Sequence, residues 1–466
     1  MRRPILIAAL LSLLAAAAVH AEPHPAQLQS ANWSAPVPLS AASTEIGDLS
    51  LAVSEGGTVH VVWEDGGHLF HAFGAPAVSP LPSDIAYGES PALAGGTGSA
   101  AHLAFVAMSG NQMDVYASDW TGSAWSLPVG LLPTDGDSLA PAIARSGSQL
   151  AVTWAETADI ADIYVATRTD AGGWIAAAVS GAVGNAPDVC LDSRGIHVLF
   201  QDRDPITEKM DLWYAFRNEV GWSLPVSVSN SPDWDSHAGR LACLSGQTHG
   251  TWQEATASGY QIQHATGSDL GWGTASVVSP SGDAFSPDLA VSDDALHQAW
   301  AQSSVVAYRP WSGGVWGTTE TLSVSGYVLD VAIGAAPDGG IHMAWVELSA
   351  NGTARVMYSW RSSGSQTSTP TRTATSTQTR TPTATFTRTA TPTPTRTPMP
   401  TASVTGTATT TATPTRTCTP TATRSATATP TRTAAATVTP AATATVTRSP
   451  AGVHWIILPV VFRGAP

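Results

Sequence analysis

The chain has 466 residues, of which 12% are charged, and Gly and Pro number 41 and 33. This length holds two or three domains, and the composition excludes a helical bundle in favour of a loop-rich β protein with low-complexity parts. The net charge of −14 is unevenly spread: residues 22–360 carry 35 acids against nine bases, and residues 361–466 carry ten Arg and no acid. The acidic body therefore lacks the basic patch that a nucleic-acid partner requires.

The chain opens with Arg2-Arg3, an apolar run from Ile5 to Val19, and Val19-His20-Ala21. This order of basic, apolar and small residues is that of a secretory signal peptide, so residues 1–21 are expected to be removed after Ala21. The run is shorter than the ~18 residues a membrane span needs, and no later stretch is longer. Export without a membrane span is the expectation, into a compartment that permits disulfides.

Residues 22–361 repeat one motif seven times. Val59-His60-Val61-Val62-Trp63, Ala101-His102-Leu103-Ala104-Phe105 and Ile341-His342-Met343-Ala344-Trp345 are three of its copies. The repeat aromatics are Trp63, Phe105, Trp154, Phe200, Trp252, Trp300 and Trp345, spaced 42 to 52 residues apart. That is the period of a four-stranded propeller blade. Each unit reads as a short apolar strand, the His-containing strand, a strand with Tyr or Trp, and a strand opening with Trp, as at Trp125, Trp174, Trp222, Trp272 and Trp316. Phe73 is read as standing in for that last Trp in the first unit. The seventh unit lacks a fourth strand, and the chain begins with an orphan one, Asn32 to Ser40. The fold class expected is therefore all-β, a seven-bladed β-propeller whose ring is closed by the N-terminal strand.

The pattern, of which Leu51-Ala52-Val53-Ser54 followed by His60 and Trp63 is the first copy, resembles sialidase-like and BNR-type propeller modules of secreted bacterial proteins. No turn carries the full Asp-box S-x-D-x-G-x-T-W, and seven units are countable where six would match the sialidase pattern. The resemblance implies a sialidase-type glycoside hydrolase as an alternative function. Such an enzyme needs an arginine cluster for the sugar carboxylate, and the eight arginines before Arg361 show no convergent trio in their spacing.

His60, His102, His197, His249, His297 and His342 each lie three residues before a blade aromatic. One per blade places them around a ring, whereas metal ligands must converge within about 2 Å of one ion. A repeated structural hydrogen bond is expected, and no metal or cofactor. Cys190 and Cys243 are read as matching positions of neighbouring first strands, pointing the same way and hence unbridged; Cys418 falls outside the repeat. No nucleophile elbow, phosphate loop or zinc-protease motif is present in the sequence.

If each blade runs from inner to outer strand, the second-to-third turns share a face with the links between blades. That face collects sixteen acids, among them Asp135, Glu156, Asp159, Glu254 and Glu347. Two features stand out on it: Ser231-Pro232-Asp233-Trp234-Asp235 in the link to blade 5, and the long blade 4 turn from Asp202 to Asp211, with Arg203 and Lys209. Long loops in a compact repeat are where function concentrates. The expected ligand site is Trp234 as a stacking ring with Asp233, Asp235 and Arg203 as bonding partners, and with Tyr87 and Phe285 as further link aromatics. A glycan or protein ligand, bound without catalysis, fits this chemistry; a structural surface-layer role is the other alternative.

Residues 362–450 are a Thr/Pro/Arg-rich segment, with 37 Thr among residues 367–448. It cannot build a core and reads as a disordered stalk, able to reach about 250 Å if extended. The short apolar segment 451–466 ends the chain. Attachment to the cell envelope through the stalk or this segment is expected.

Overall fold

The structure, a computed structural model, describes residues 32–363 apart from 76, 80, 81, 133, 135, 158–160, 170, 171, 269, 270 and 281. The chain divides into two units, Met1–Ala374 and Thr375–Pro466, and the second lies wholly outside the described residues. So do the expected signal peptide, the apolar terminus and nearly all of the stalk.

The described residues form seven antiparallel sheets of four or five strands and no α-helix. The first strands of the blades are Ile46–Val53, Glu89–Gly95, Asp137–Ser146, Asn185–Asp192, Ser236–Leu244, Ala284–Ser292 and Tyr327–Ala335. Each touches the next, and the last touches the first, so they close a ring around a central axis. The second strands are buried along almost their whole length, as Val59–Asp65 and Ile341–Leu348 show. Neighbouring sheets cover both of their faces, which is why they read as continuous apolar runs rather than alternating ones. Trp63, Phe105, Trp154, Phe200, Trp252, Trp300 and Trp345 are all sealed in these layers between blades.

The seam closes as expected. Val37–Pro38 pairs with Tyr358 and Met357, completing blade 7. Backbone bonds from Ser34 N to Trp360 O and from Leu39 N to Val356 O, both 2.8 Å, extend the match. Trp33 is buried edge-on against Tyr308 of blade 6 and donates its indole N–H to Glu320 at 2.9 Å. Arg361 binds the same carboxylate, donates to the Tyr308 hydroxyl and lies over both rings. The first and last described segments of the ring thus meet on one polar cluster of blade 6.

Two expectations need correction. Phe73 lies on the third strand of blade 1, paired with His60, and not at the start of the fourth. Cys190 and Cys243 form a disulfide, with Cα atoms 5.7 Å apart. In register, Cys190 pairs with His197, and the residue of blade 5 that pairs with His249 is Ala242. Cys243 therefore stands one residue further along its strand. Successive strand residues point to opposite sheet faces, so this offset turns the two sulfurs toward each other across the gap between blades 4 and 5.

In all seven blades the first strand carries a bulge or register shift. Ser90, Ala140, Ala186, Ala238 and Ser286 sit there with φ between 44° and 51°. Four of them precede Pro, and the kink aims the side chain that follows the Pro at the axis. At one equivalent level this places Ser50, Asp188, Arg240 and Asp288 on the channel wall. Asp188 accepts from Leu241 N of the next blade at 2.6 Å, Asp288 from Ile333 N at 2.8 Å, and Ser50 Oγ from Leu93 N at 3.0 Å. Arg240 stands 3.7 Å from Asp288, with 42% of its side chain exposed.

Candidate functional site

The recurrent histidines are internal fasteners. His60 and His249 bond His71 and His264 on their third strands, each at 3.1 Å. His197, His297 and His342 bond the hydroxyls of Tyr214, Tyr308 and Tyr358 at 2.6 to 2.8 Å. His102 instead bonds Asp119, which also pairs with Arg168 from blade 3. Blade 3, which lacks the histidine, has the buried apolar residues Ala151 and Val165 at the corresponding positions of strands two and three. Burial holds His60, His249, His297 and His342 down at about 4.

Much of the acidic face is fastened in the same way. Two residues after the blade aromatic, a carboxylate turns back onto the link beside it. Glu156 accepts from Thr134, Ser138 and Trp154 Nε1 at 2.6, 2.8 and 3.3 Å. Glu254 accepts from Ser231 and Trp252 Nε1 at 2.6 and 3.0 Å. Glu347 accepts from both the N–H and the hydroxyl of Ser325. A second set, Asp137, Asp235 and Asp283, accepts from the backbone N–H groups of Met113, Met210 and Tyr260, at the start of the preceding blade's third strand, at 2.9 to 3.1 Å. These six acids thus fasten the links of this face, three of them to the preceding blade. Asp135 and Asp159 lie outside the described residues.

The link into blade 5 is held at both ends. Ser231 is tied to Asp211 and Glu254. Asp235 is tied through its carboxylate to Met210 N and through its carbonyl to Ala255 N. Between these anchors Pro232, Asp233 and Trp234 arch outward, and Trp234 is 39% exposed. The Asp235–Met210 bond brings this arch against the blade 4 turn, as the sequence led us to expect. In that turn Asp204 accepts from Ile206 N and Thr207 N, which hold its carboxyl below the usual range. Arg203 donates to the Glu208 carbonyl of its own turn. Asp235 and Arg203 are therefore part of the scaffold of the arch. Tyr87 is 76% exposed between blades 1 and 2, against His68 with ring centres 4.0 Å apart. Phe285 packs into the layer between blades 6 and 7. Neither is brought to the arch.

The opposite face holds a feature that the sequence reading passed over. A cavity of about 310 Å³ opens at the axis, lined by Val53, Glu55, Ala94, Arg145, Ala335 and others. Arg145 of blade 3 is nearly buried there and pairs at 2.6 Å with the exposed Glu55 of blade 1. Nothing in the spacing marks this pair, because each residue is a single departure from the repeat. Among the described residues, arginines pair with Glu55, Asp119, Asp192, Asp288 and Glu320.

Seven radially stacked antiparallel sheets, closed by an N-terminal strand, define a seven-bladed β-propeller. No family model matches the chain, and no curated protein matches it. Among solved structures it is similar to a protein of unknown function from Dyadobacter fermentans, at 9% identity over 71% of this chain and 99% of that one, with a TM-score of 0.46. It is similar to an ulvan lyase, a polysaccharide lyase, at 13% identity over 68% of this chain and 94% of that one, with a TM-score of 0.49. It is also similar to the Trypanosoma rangeli sialidase, at 6% identity over 60% of this chain and 56% of that one, with a TM-score of 0.42.

Proposed function

We propose that this protein is an exported binding module that takes a glycan or a protein on the loop face over blades 4 and 5, and that residues 362–450 display it from the cell envelope. The observation that carries the reading is the arch Pro232-Asp233-Trp234. Its ends are clamped, yet its tip offers an indole and a carboxylate to solvent, while most acids around it serve the fold. A fixed, exposed aromatic ring beside a carboxylate suits a sugar, whose CH face stacks and whose hydroxyls donate. The leader-like segment 1–21 and a disulfide suit an oxidising compartment outside the cytoplasm. The test is a glycan array probed with the full chain and with Trp234→Ala, run beside a hydrolysis assay on the glycans retained. Retention by the parent chain and loss in the variant support the reading. Hydrolysis of a retained glycan would replace it with an enzymatic one, and equal retention by both chains would move the site elsewhere on the ring.

A further inference from the structure

The turn at the inner end of blade 4 brings metal-ligating groups to the disulfide. One oxygen or nitrogen each of Asp192 and His197 and the sulfur of Cys243 lie within 4.8 Å of one another, and Cys190 is bonded to that sulfur. His197 Nε2 and Asp192 Oδ1 are 3.1 Å apart, close to the spacing of neighbouring ligands around a tetrahedral zinc with bonds of about 2.0–2.2 Å. We propose that reduction of the Cys190–Cys243 disulfide opens a site for one Zn²⁺, bound by both thiolates, His197 and Asp192.

The surroundings are those of a built site. The Tyr214 hydroxyl sits 2.6 Å from His197 Nδ1 and fixes the imidazole, with Nε2 on Asp192 Oδ1. Arg194 holds Asp192 Oδ2 with Nε at 2.8 Å and Nη2 at 2.6 Å and donates its backbone N–H to Oδ1 at 2.8 Å, which fixes the carboxylate with Oδ1 beside His197 Nε2. Such outer partners orient ligands and tune affinity. His197 is fully buried, while Asp192 and Cys243 are only half-buried and provide the way in. Two thiolates and one carboxylate carry three negative charges, which Zn²⁺ and Arg194 balance. Two soft sulfurs select zinc over calcium or magnesium. While the disulfide is intact neither sulfur is a thiolate, so the site exists only in the reduced protein. A dithiol supplies the two electrons and two protons that convert the disulfide to two thiols and is itself oxidised to a disulfide. Zinc then displaces both thiol protons.

The experiment uses the full chain reduced with a water-soluble phosphine, without oxygen, and titrated with Co²⁺ and then Zn²⁺. One equivalent of Co²⁺ should give thiolate-to-metal absorption in the near ultraviolet, and Zn²⁺ should abolish it. The oxidised protein and Cys190→Ser/Cys243→Ser, which keeps Cys418, should show neither effect. Zn²⁺ should raise the melting temperature of the reduced protein and leave that of the double variant in place. In the reduced state Asp192→Asn and His197→Gln should each weaken Zn²⁺ binding at least tenfold; if the buried His197 variant does not fold, Asp192→Asn carries the ligand test. Binding by the reduced protein no tighter than by the double variant would overturn the proposal, as would undiminished affinity in Asp192→Asn.

Discussion

Glu254 and Trp234 lie on one face of the ring, twenty residues apart, and serve opposite ends. The Glu254 carboxylate gathers Ser231, Ser236 and the Trp252 indole, so Glu254→Ala strands three donors in a closed layer. A loss of about 2–3 kcal/mol is expected in chemical denaturation. Trp234 stands on the arch, 39% exposed, so Trp234→Ala should move the melting curve far less than Glu254→Ala and, once a ligand is found, weaken binding by about 2 kcal/mol, the scale of an aromatic anchor. If Trp234→Ala melted early and Glu254→Ala did not, the division of the face into clamps and an open arch would be wrong. Tyr358→Phe probes the histidine fasteners: it leaves His342 Nδ1 buried without its partner and should cost about 1–2 kcal/mol.

At the scale of the strand, two junctions hold the ring. Removing residues 22–40 takes away the outer strand of blade 7 together with Trp33, leaving an open edge and an unfilled layer beside Tyr308. Lower melting temperature and concentration-dependent aggregation, seen by light scattering, are expected. The Cys190–Cys243 link closes a loop across 53 residues of sequence. Restricting a loop of that size in the unfolded chain contributes about 4 kcal/mol in the chain-entropy model. Cys190→Ser/Cys243→Ser should lower the denaturation midpoint accordingly, and an unchanged midpoint would show that the bond does not form in solution.

For the whole molecule, the buried histidines set the response to acid. Burial takes His60, His249, His297 and His342 from 6.5 to about 4, and burial with a neighbouring imidazole takes His71 and His264 to about 3. Because the folded values lie below the unfolded one, unfolding takes up protons. Stability from these groups is present above pH 6.5 and is lost as the pH falls toward 4 and below. Five carboxylates act in the other sense. Burial raises Asp188, Asp202 and Asp211, and takes Asp288 to about 7 and Asp330 to about 6, so their contribution is present at low pH and lost as the pH rises through their folded values. The larger shifts of the six imidazoles outweigh these carboxylates, so the melting temperature should fall steadily from pH 6.5 to 4. His249→Ala/His264→Val, which copies Ala151 and Val165 at these positions of blade 3, should flatten that slope; a melting temperature level across the window would refute the account.

The seven blades, the closing strand and the structural role of the histidines were legible in the sequence, because each rests on a residue type recurring at a fixed offset. The same argument applied to Glu156, Glu254 and Glu347, which also recur at one offset from the blade aromatic, and it would have marked them as clamps rather than as part of a binding surface. The disulfide was not legible by motif alignment. Cys190 stands seven residues before His197 and Cys243 six before His249, and one residue decides which sheet face a side chain takes; the paired register of His197 with Cys190 and of His249 with Ala242 shows the offset. The Arg145–Glu55 pair, the carboxylates around Arg240 and the approach of Asp192 and His197 to Cys243 join residues from separate turns and blades. Closing the ring brings such residues together, and no spacing along the chain encodes the distance across an axis.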